Sequence, residues 1–159
     1  MSLVNDIAFS YRSPQGAIAK QAAQGVREPQ ILFYAMLFGF LSFVARLPVL
    51  AVQSSADQPL FALAAAALAV SLFFVPLFLF GLAAICHWVV RLFGGRGTMY
   101  HARLAVTWAA LVSVPMVLLA GLVSQLVPHG VALALQLLTG VVFLRQLIVG
   151  LNYLGFRTE

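Results

Sequence analysis

Arg91-Leu92-Phe93-Gly94-Gly95-Arg96-Gly97-Thr98-Met99-Tyr100-His101-Ala102-Arg103 is a basic, glycine-broken hinge between two long apolar runs. The run before it, Leu60 to Val90, has no charge in 31 residues. As one helix it is about 46 Å long, against a hydrocarbon core of about 30 Å. Two spans need about 34–40 residues plus a turn, so the run is one span, tilted and projecting past the lipid, with Pro76 as a kink. Gly94 is its natural stop, because glycine accepts the left-handed conformation that ends helices.

The totals agree with a chain that lives in lipid. Hydrophobic residues make up 63% and charged residues 8%, with a mean hydropathy of +1.03. Soluble domains carry about 25% charged residues, so this chain has too little polar surface to cover itself in water. The net charge is +5, from eight Arg, one Lys and four acids. Those basic residues sit at the ends of apolar runs, which is the pattern of topology signals and headgroup contacts rather than of nucleic-acid binding. Cys86 has no partner for an intramolecular disulfide and reads as a small apolar residue. The first 30 residues lack the apolar core of a secretory signal. The preference for Arg over Lys, with abundant Ala, Leu and Val, points to a GC-rich bacterial genome.

Working outward from the hinge, four spans are expected, at about 31–52, 60–92, 102–127 and 131–153. The turns between them are Gln53 to Pro59 and Pro128-His129-Gly130. The fold class is an all-α polytopic membrane bundle of four transmembrane helices over residues 31–156, plus an amino-terminal amphipathic, interfacial segment over 1–30. In that segment Val4, Ile7, Ala8 and Tyr11 share helical spacing, and Pro14 starts a second helix carrying Ile18, Ala22 and Val26. Arg12, Lys20 and Arg27 lie before the first span, Arg91, Arg96 and Arg103 around the hinge, and Arg157 in the tail. The other two turns have no Arg or Lys. Four spans put all the basic segments on one side, so both termini and the hinge are expected in the cytoplasm of a bacterial inner membrane.

Few residues offer chemistry. Arg46 lies about seven residues from the far end of the first span, within reach of headgroups. Arg145 lies mid-span, which costs about 2.5–3.5 kcal/mol on insertion scales. No span has an Asp or Glu to pair with it, which leaves Gln136, Thr139, Gln146, Asn152, carbonyls freed near proline, or a lipid phosphate. The same lack of a membrane carboxylate argues against a pump or secondary transporter. His87 and His101 bracket the hinge, where two imidazoles on neighbouring helices can hold haem, although nothing else in the sequence supplies a haem motif. No clustered His, Cys or carboxylate set suggests a metal site, and no Ser/His/Asp arrangement suggests a nucleophile. Gly94-Gly95-Arg96-Gly97 lacks the Lys-Ser/Thr ending of a phosphate loop. Its expected role is a sharp turn at headgroup level. Arg91, Arg96, Arg103, Arg145 and Arg46 are therefore the candidate lipid- or partner-binding residues. Gly94, Gly95, Gly97, Pro115 and Pro76 are the structural turns and kinks. No catalytic residue, metal or cofactor is assigned.

The stretch from Ala84 through Gly94-Gly95-Arg96-Gly97-Thr98 and Thr107-Trp108-Ala109-Ala110 to Pro115 resembles the Yip domain family, small multi-pass membrane proteins named for interacting with Ypt/Rab GTPases. The shared pattern is a helix ending in a Gly-Gly-x-Gly-Ser/Thr turn, then a span with an aromatic-small-small step and a proline. Phe43 to Pro48 is similar to the Leu-Pro step of bacterial members. Members usually have five spans against the four counted here, so a fifth is missing or the ends are read differently. A bacterial member has no Rab partner. The resemblance implies a non-enzymatic integral membrane protein acting by association with itself, partner membrane proteins or anionic lipids. The alternative, from another class, is an accessory subunit of a larger bioenergetic or transport complex, touching lipid, quinone or haem.

Overall fold

A computed structural model describes residues 3–55 and 57–156, apart from the side chain of His129. The tail expected after Phe156 lies outside these residues. Among them there are six helices and no strand: α1 (Leu3–Arg12), α2 (Pro14–Ala22), α3 (Glu28–Gln53), α4 (Leu60–Leu92), α5 (Met99–Val123) and α6 (His129–Phe156). The last four are each long and apolar enough to cross a membrane. The fold is thus the expected all-α bundle of four long apolar helices. The third span, α5, ends at Val123 rather than at the expected 127, because Ser124 to Val127 form a turn and not a further helical stretch.

α5 is the centre. It packs on α3, α4 and α6, whereas the backbones of α3 and α6 do not approach each other. The reason is local: Ala102, Ala105, Ala109 and Ala110 keep the α5 surface low, so three helices approach it closely. Trp108, 2% exposed, fills the space left, its ring 5.6 Å from that of Tyr34 on α3. Small residues also set the other crossings. Gly39 of α3 lies against the Ser71 carbonyl of α4, and Gly121 of α5 lies against the Ala45 carbonyl of α3. A side chain at either glycine would strike backbone.

The amino-terminal segment forms two amphipathic helices, and the bundle takes them in. Ser10, Ala17, Ile18 and Gln21 are buried. The Tyr11 hydroxyl donates to the Val112 carbonyl at 2.7 Å, and the Gln146 amide donates to the Ser10 carbonyl at 3.0 Å. Val112 lies about 20 Å along α5 from its start. The chain then returns: Ile18 meets Gly150 and Ala105, and Tyr100 holds the connector by donating to the Gly25 carbonyl and accepting from the Arg27 amide. α1 and α2 are therefore a re-entrant hairpin that enters from the hinge end, turns at Arg12–Ser13, and leaves on the same side. It fills half of the gap between α3 and α6. Lys20 and Asp6 pair across it at 2.5 Å.

The Tyr11 bond falls at a weak point of α5. Pro115 has no N–H for the Leu111 carbonyl, and its ring disturbs the turn that includes Val112. A hydroxyl from another helix is the kind of partner that makes such a proline tolerable in lipid. Tyr11→Phe should lower stability by about 1 kcal/mol, measured as a fall in thermal midpoint in detergent with no change in helix content.

Candidate functional site

The hinge is built by three helix ends at once. Phe93 ends α4, and Gly94 follows at φ 80°, in the left-handed region. Gly95 then donates to the Val90 carbonyl at 2.9 Å and Gly94 to the Arg91 carbonyl at 3.1 Å, the paired bonds of a Schellman cap. Thr98 starts α5 as its N-cap. Its hydroxyl accepts from the His101 amide at 3.4 Å, and its own amide donates to His101 Nδ1 at 3.3 Å, a reciprocal capping box.

Between these caps the hinge meets the end of α6. The amides of Arg96 and Gly97 donate to the Gly155 carbonyl at 3.0 and 3.2 Å. That carbonyl is one of the last four of α6, which have no partner within their own helix. A Cβ on Gly97 would come to 2.9 Å from both the Gly155 Cα and the Leu154 carbonyl, and one on Gly95 would meet Val90. Gly95, Gly97 and Gly155 thus form a backbone-to-backbone seam that ties the fourth span to the loop joining the second and third. Gly155 carries no local signal in the sequence. It stands alone in an apolar stretch, and its role exists only because another segment crosses it.

The candidate arginines separate into different surroundings. Arg91 and Arg96 are exposed at the hinge end and have no ionic partner among the described residues. Trp88, Leu92 and Phe93 beside them are 71%, 81% and 76% exposed. Aromatic and basic side chains together at a bundle end are the usual anchors at a membrane–water interface. Arg103 differs, since it binds Glu28 of α3 at 2.7 Å and is committed to joining α5 to the start of the first span. Beside that pair, Gln21 accepts from Tyr34, Gln24 and Gln30 at 3.1–3.3 Å, completing a polar cluster at the hinge end.

His87 and His101 do face one another across a space, but it measures only about 10 Å³ and is closed by Leu151, Leu154 and Gly155. A macrocycle does not fit there, and the capping bonds occupy one nitrogen of His101. Among the described residues no group of three or more His, Cys, Asp or Glu is arranged to hold a metal ion.

Arg145 points out of the bundle. It is exposed on the face of α6 that carries Val141, Leu144 and Ile148, and it has no partner among the described residues. Arg46 lies in the half of the α3–α6 gap that the hairpin does not reach. There a cavity of about 400 Å³ is lined by Ser42 and Arg46 of α3, Gly121 and Ser124 of α5, and Gln136 and Thr139 of α6. Pro76 is buried within α4 and Pro115 is exposed within α5, and both helices run on through their prolines.

No curated protein and no solved structure matches this sequence. The family model of the Yip1 domain does match, over residues 12–159, a range that holds the glycine hinge, the Thr107–Ala110 step at the core of α5, and Gly155. The four apolar helices and the seam that joins them are those of a chain that belongs to the Yip1 domain family.

Proposed function

We propose that this membrane protein is not an enzyme and acts by association, holding anionic lipid headgroups at its hinge end while its apolar flanks contact lipid, a second copy or other membrane proteins. The observation that carries the reading is the exposed pair Arg91 and Arg96, set among Trp88, Leu92 and Phe93 on a backbone fixed by two helix caps and the Gly155 seam. The guanidiniums are presented on a rigid corner rather than a loose loop. By the distribution of Arg and Lys, that corner and both termini face the cytoplasm. Reporter domains fused after residues 56, 97 and 129 should then read outside, inside and outside. A cytoplasmic reading at 56 refutes the orientation.

Headgroup attraction is worth about 1 kcal/mol for each basic residue near an anionic surface. Arg91→Gln with Arg96→Gln should therefore weaken retention of phosphatidylglycerol at the hinge of the detergent-purified protein by roughly 30-fold at low salt. Arg103→Gln should change retention little and lower thermal stability instead, because that arginine is engaged with Glu28. Equal retention in the double variant and the native protein refutes headgroup binding by the hinge.

Arg145 favours a second reading, an accessory subunit in a larger assembly. A guanidinium on an outward apolar face at mid-helix is costly unless a neighbour supplies a carboxylate or carbonyl. Crosslinking from position 145 in native membranes tests this: capture of another protein in constant ratio supports it, and crosslinks to lipid alone refute it.

A further inference from the structure

The gap between α3 and α6 is largely apolar, lined toward its far end by Ala45, Val49, Val117 and Ala120, but a row of polar groups runs along it. Gln136, Thr139 and Gln146 lie at helical spacing on one face of α6, with Phe143 between them. Toward the hinge, the re-entrant hairpin meets this face, and the Ser10 carbonyl engages Gln146. Toward the far end no segment of the described chain does so. Ser42 and Arg46 look across from α3, and Ser124 lies at the end of α5. Ser124 and Thr139 bond to carbonyls of their own helices, but Ser42, Arg46 and Gln136 make no hydrogen bond among the described residues.

Ser42, Arg46 and Gln136 line this one cavity without a partner, Arg46 and Gln136 with exposed side chains, and away from water such donors call for an acceptor. The single ionised member is a guanidinium, whose planar fork matches the oxygens of a phosphate. At about 400 Å³ the space is of ligand size. Since the backbones of α3 and α6 do not approach each other, it opens sideways between them toward lipid. Arg46 lies about 10 Å from the far end of α3, so a headgroup would sit sunk below the general headgroup plane.

We propose that this cavity is a stoichiometric binding site for a phosphate-bearing group, with Arg46 pairing with the phosphate oxygens and Gln136 and Ser42 donating to them, and that its occupant is the headgroup of one anionic phospholipid entering between α3 and α6. The hairpin and the lipid then divide the gap, each satisfying one half of it. The site is separate from the hinge corner and does not depend on the reading of Arg91 and Arg96.

Native mass spectrometry of the full chain in detergent, after delipidation and titration with phosphatidylglycerol, tests the proposal. The expected result is one tight adduct per chain, weakened roughly tenfold by Arg46→Gln and less by Gln136→Leu. Arg46→Lys should restore part of the affinity, since the charge remains and the fork is lost. A second arm measures thermal midpoints with inorganic phosphate alone. No stabilisation by phosphate, beside stabilisation by the lipid, supports the headgroup. Stabilisation by phosphate that Arg46→Gln abolishes keeps the phosphate site but overturns the lipid as its occupant. A first lipid adduct of native affinity in folded Arg46→Gln protein overturns the site altogether.

Discussion

Gly97→Leu should remove a large part of the protein's stability and sharply lower its folded yield, whereas Gly140→Ala and Gly81→Ala should behave like the native chain. The difference lies in what a side chain meets. At Gly97 the first added carbon is pressed on the backbone of Gly155 and Leu154, which cannot rotate away as a side chain can. At Gly81 and Gly140 nothing lies within 4 Å. Overpacking ordinarily costs about 1–3 kcal/mol. Here the displaced hinge also loses the two bonds to the Gly155 carbonyl, at about 1 kcal/mol each. The sum is a large part of a typical stability of about 5–15 kcal/mol, and it falls where two hairpins are joined. Monodisperse yield and thermal midpoint in detergent check this. A Gly97→Leu protein melting within a few degrees of native would refute the seam. Gly94→Ala should show an intermediate loss of about 1–2 kcal/mol, set by its left-handed backbone rather than by crowding.

The second large effect is expected at Ile18. This side chain is 2% exposed and packs against Gly150 and Ala105, where the returning arm of the hairpin meets α5 and α6. Ile18→Asp puts a carboxyl group into an apolar contact with no partner, at a cost of several kcal/mol. The four spans remain long and apolar, so the least costly response is release of the hairpin rather than global unfolding. Limited trypsin digestion should then cut at Arg12, Lys20 and Arg27 at least tenfold faster than in native protein, leaving a helical core that starts near Glu28. Val26→Asp, at a position 74% exposed, should digest like the native chain. If Ile18→Asp also digests like the native chain, the segment lies on the surface and not within the bundle.

The number of spans follows from run length set against bilayer thickness, a comparison that needs no knowledge of neighbours. The stop at Gly94 was legible for a similar reason, because a helix end is a matter of a few adjacent residues. Thr98 and His101 were within reach of the same reasoning, since a threonine N-cap three residues before a side-chain acceptor is a local pattern.

Which face of each span looks inward was not legible. In water, the buried side of a helix is its apolar side. In lipid both sides are apolar, and the hydropathy pattern loses its meaning. α5 has a mean hydropathy of 2.2, within the 1.9–2.5 of the other three spans, yet half of its most apolar window is buried against 17–22% for theirs. Small residues on α5 decide this by admitting neighbours closely, and that effect depends on what is packed there. The hairpin was faint in sequence because α3, α5 and α6 each cover part of it, so no one face carries a full apolar stripe.

The sequence by itself determined a chain of four membrane-length helices broken by a basic glycine hinge, because length, charge and turn chemistry act between near neighbours. Only the tertiary structure decided that the hinge glycines close on Gly155, that Arg103 is committed to Glu28, and that the amino-terminal hairpin and a polar cavity share the gap between α3 and α6. Those are contacts between segments remote in sequence, fixed by how closely backbones approach and by which polar groups must find a partner away from water.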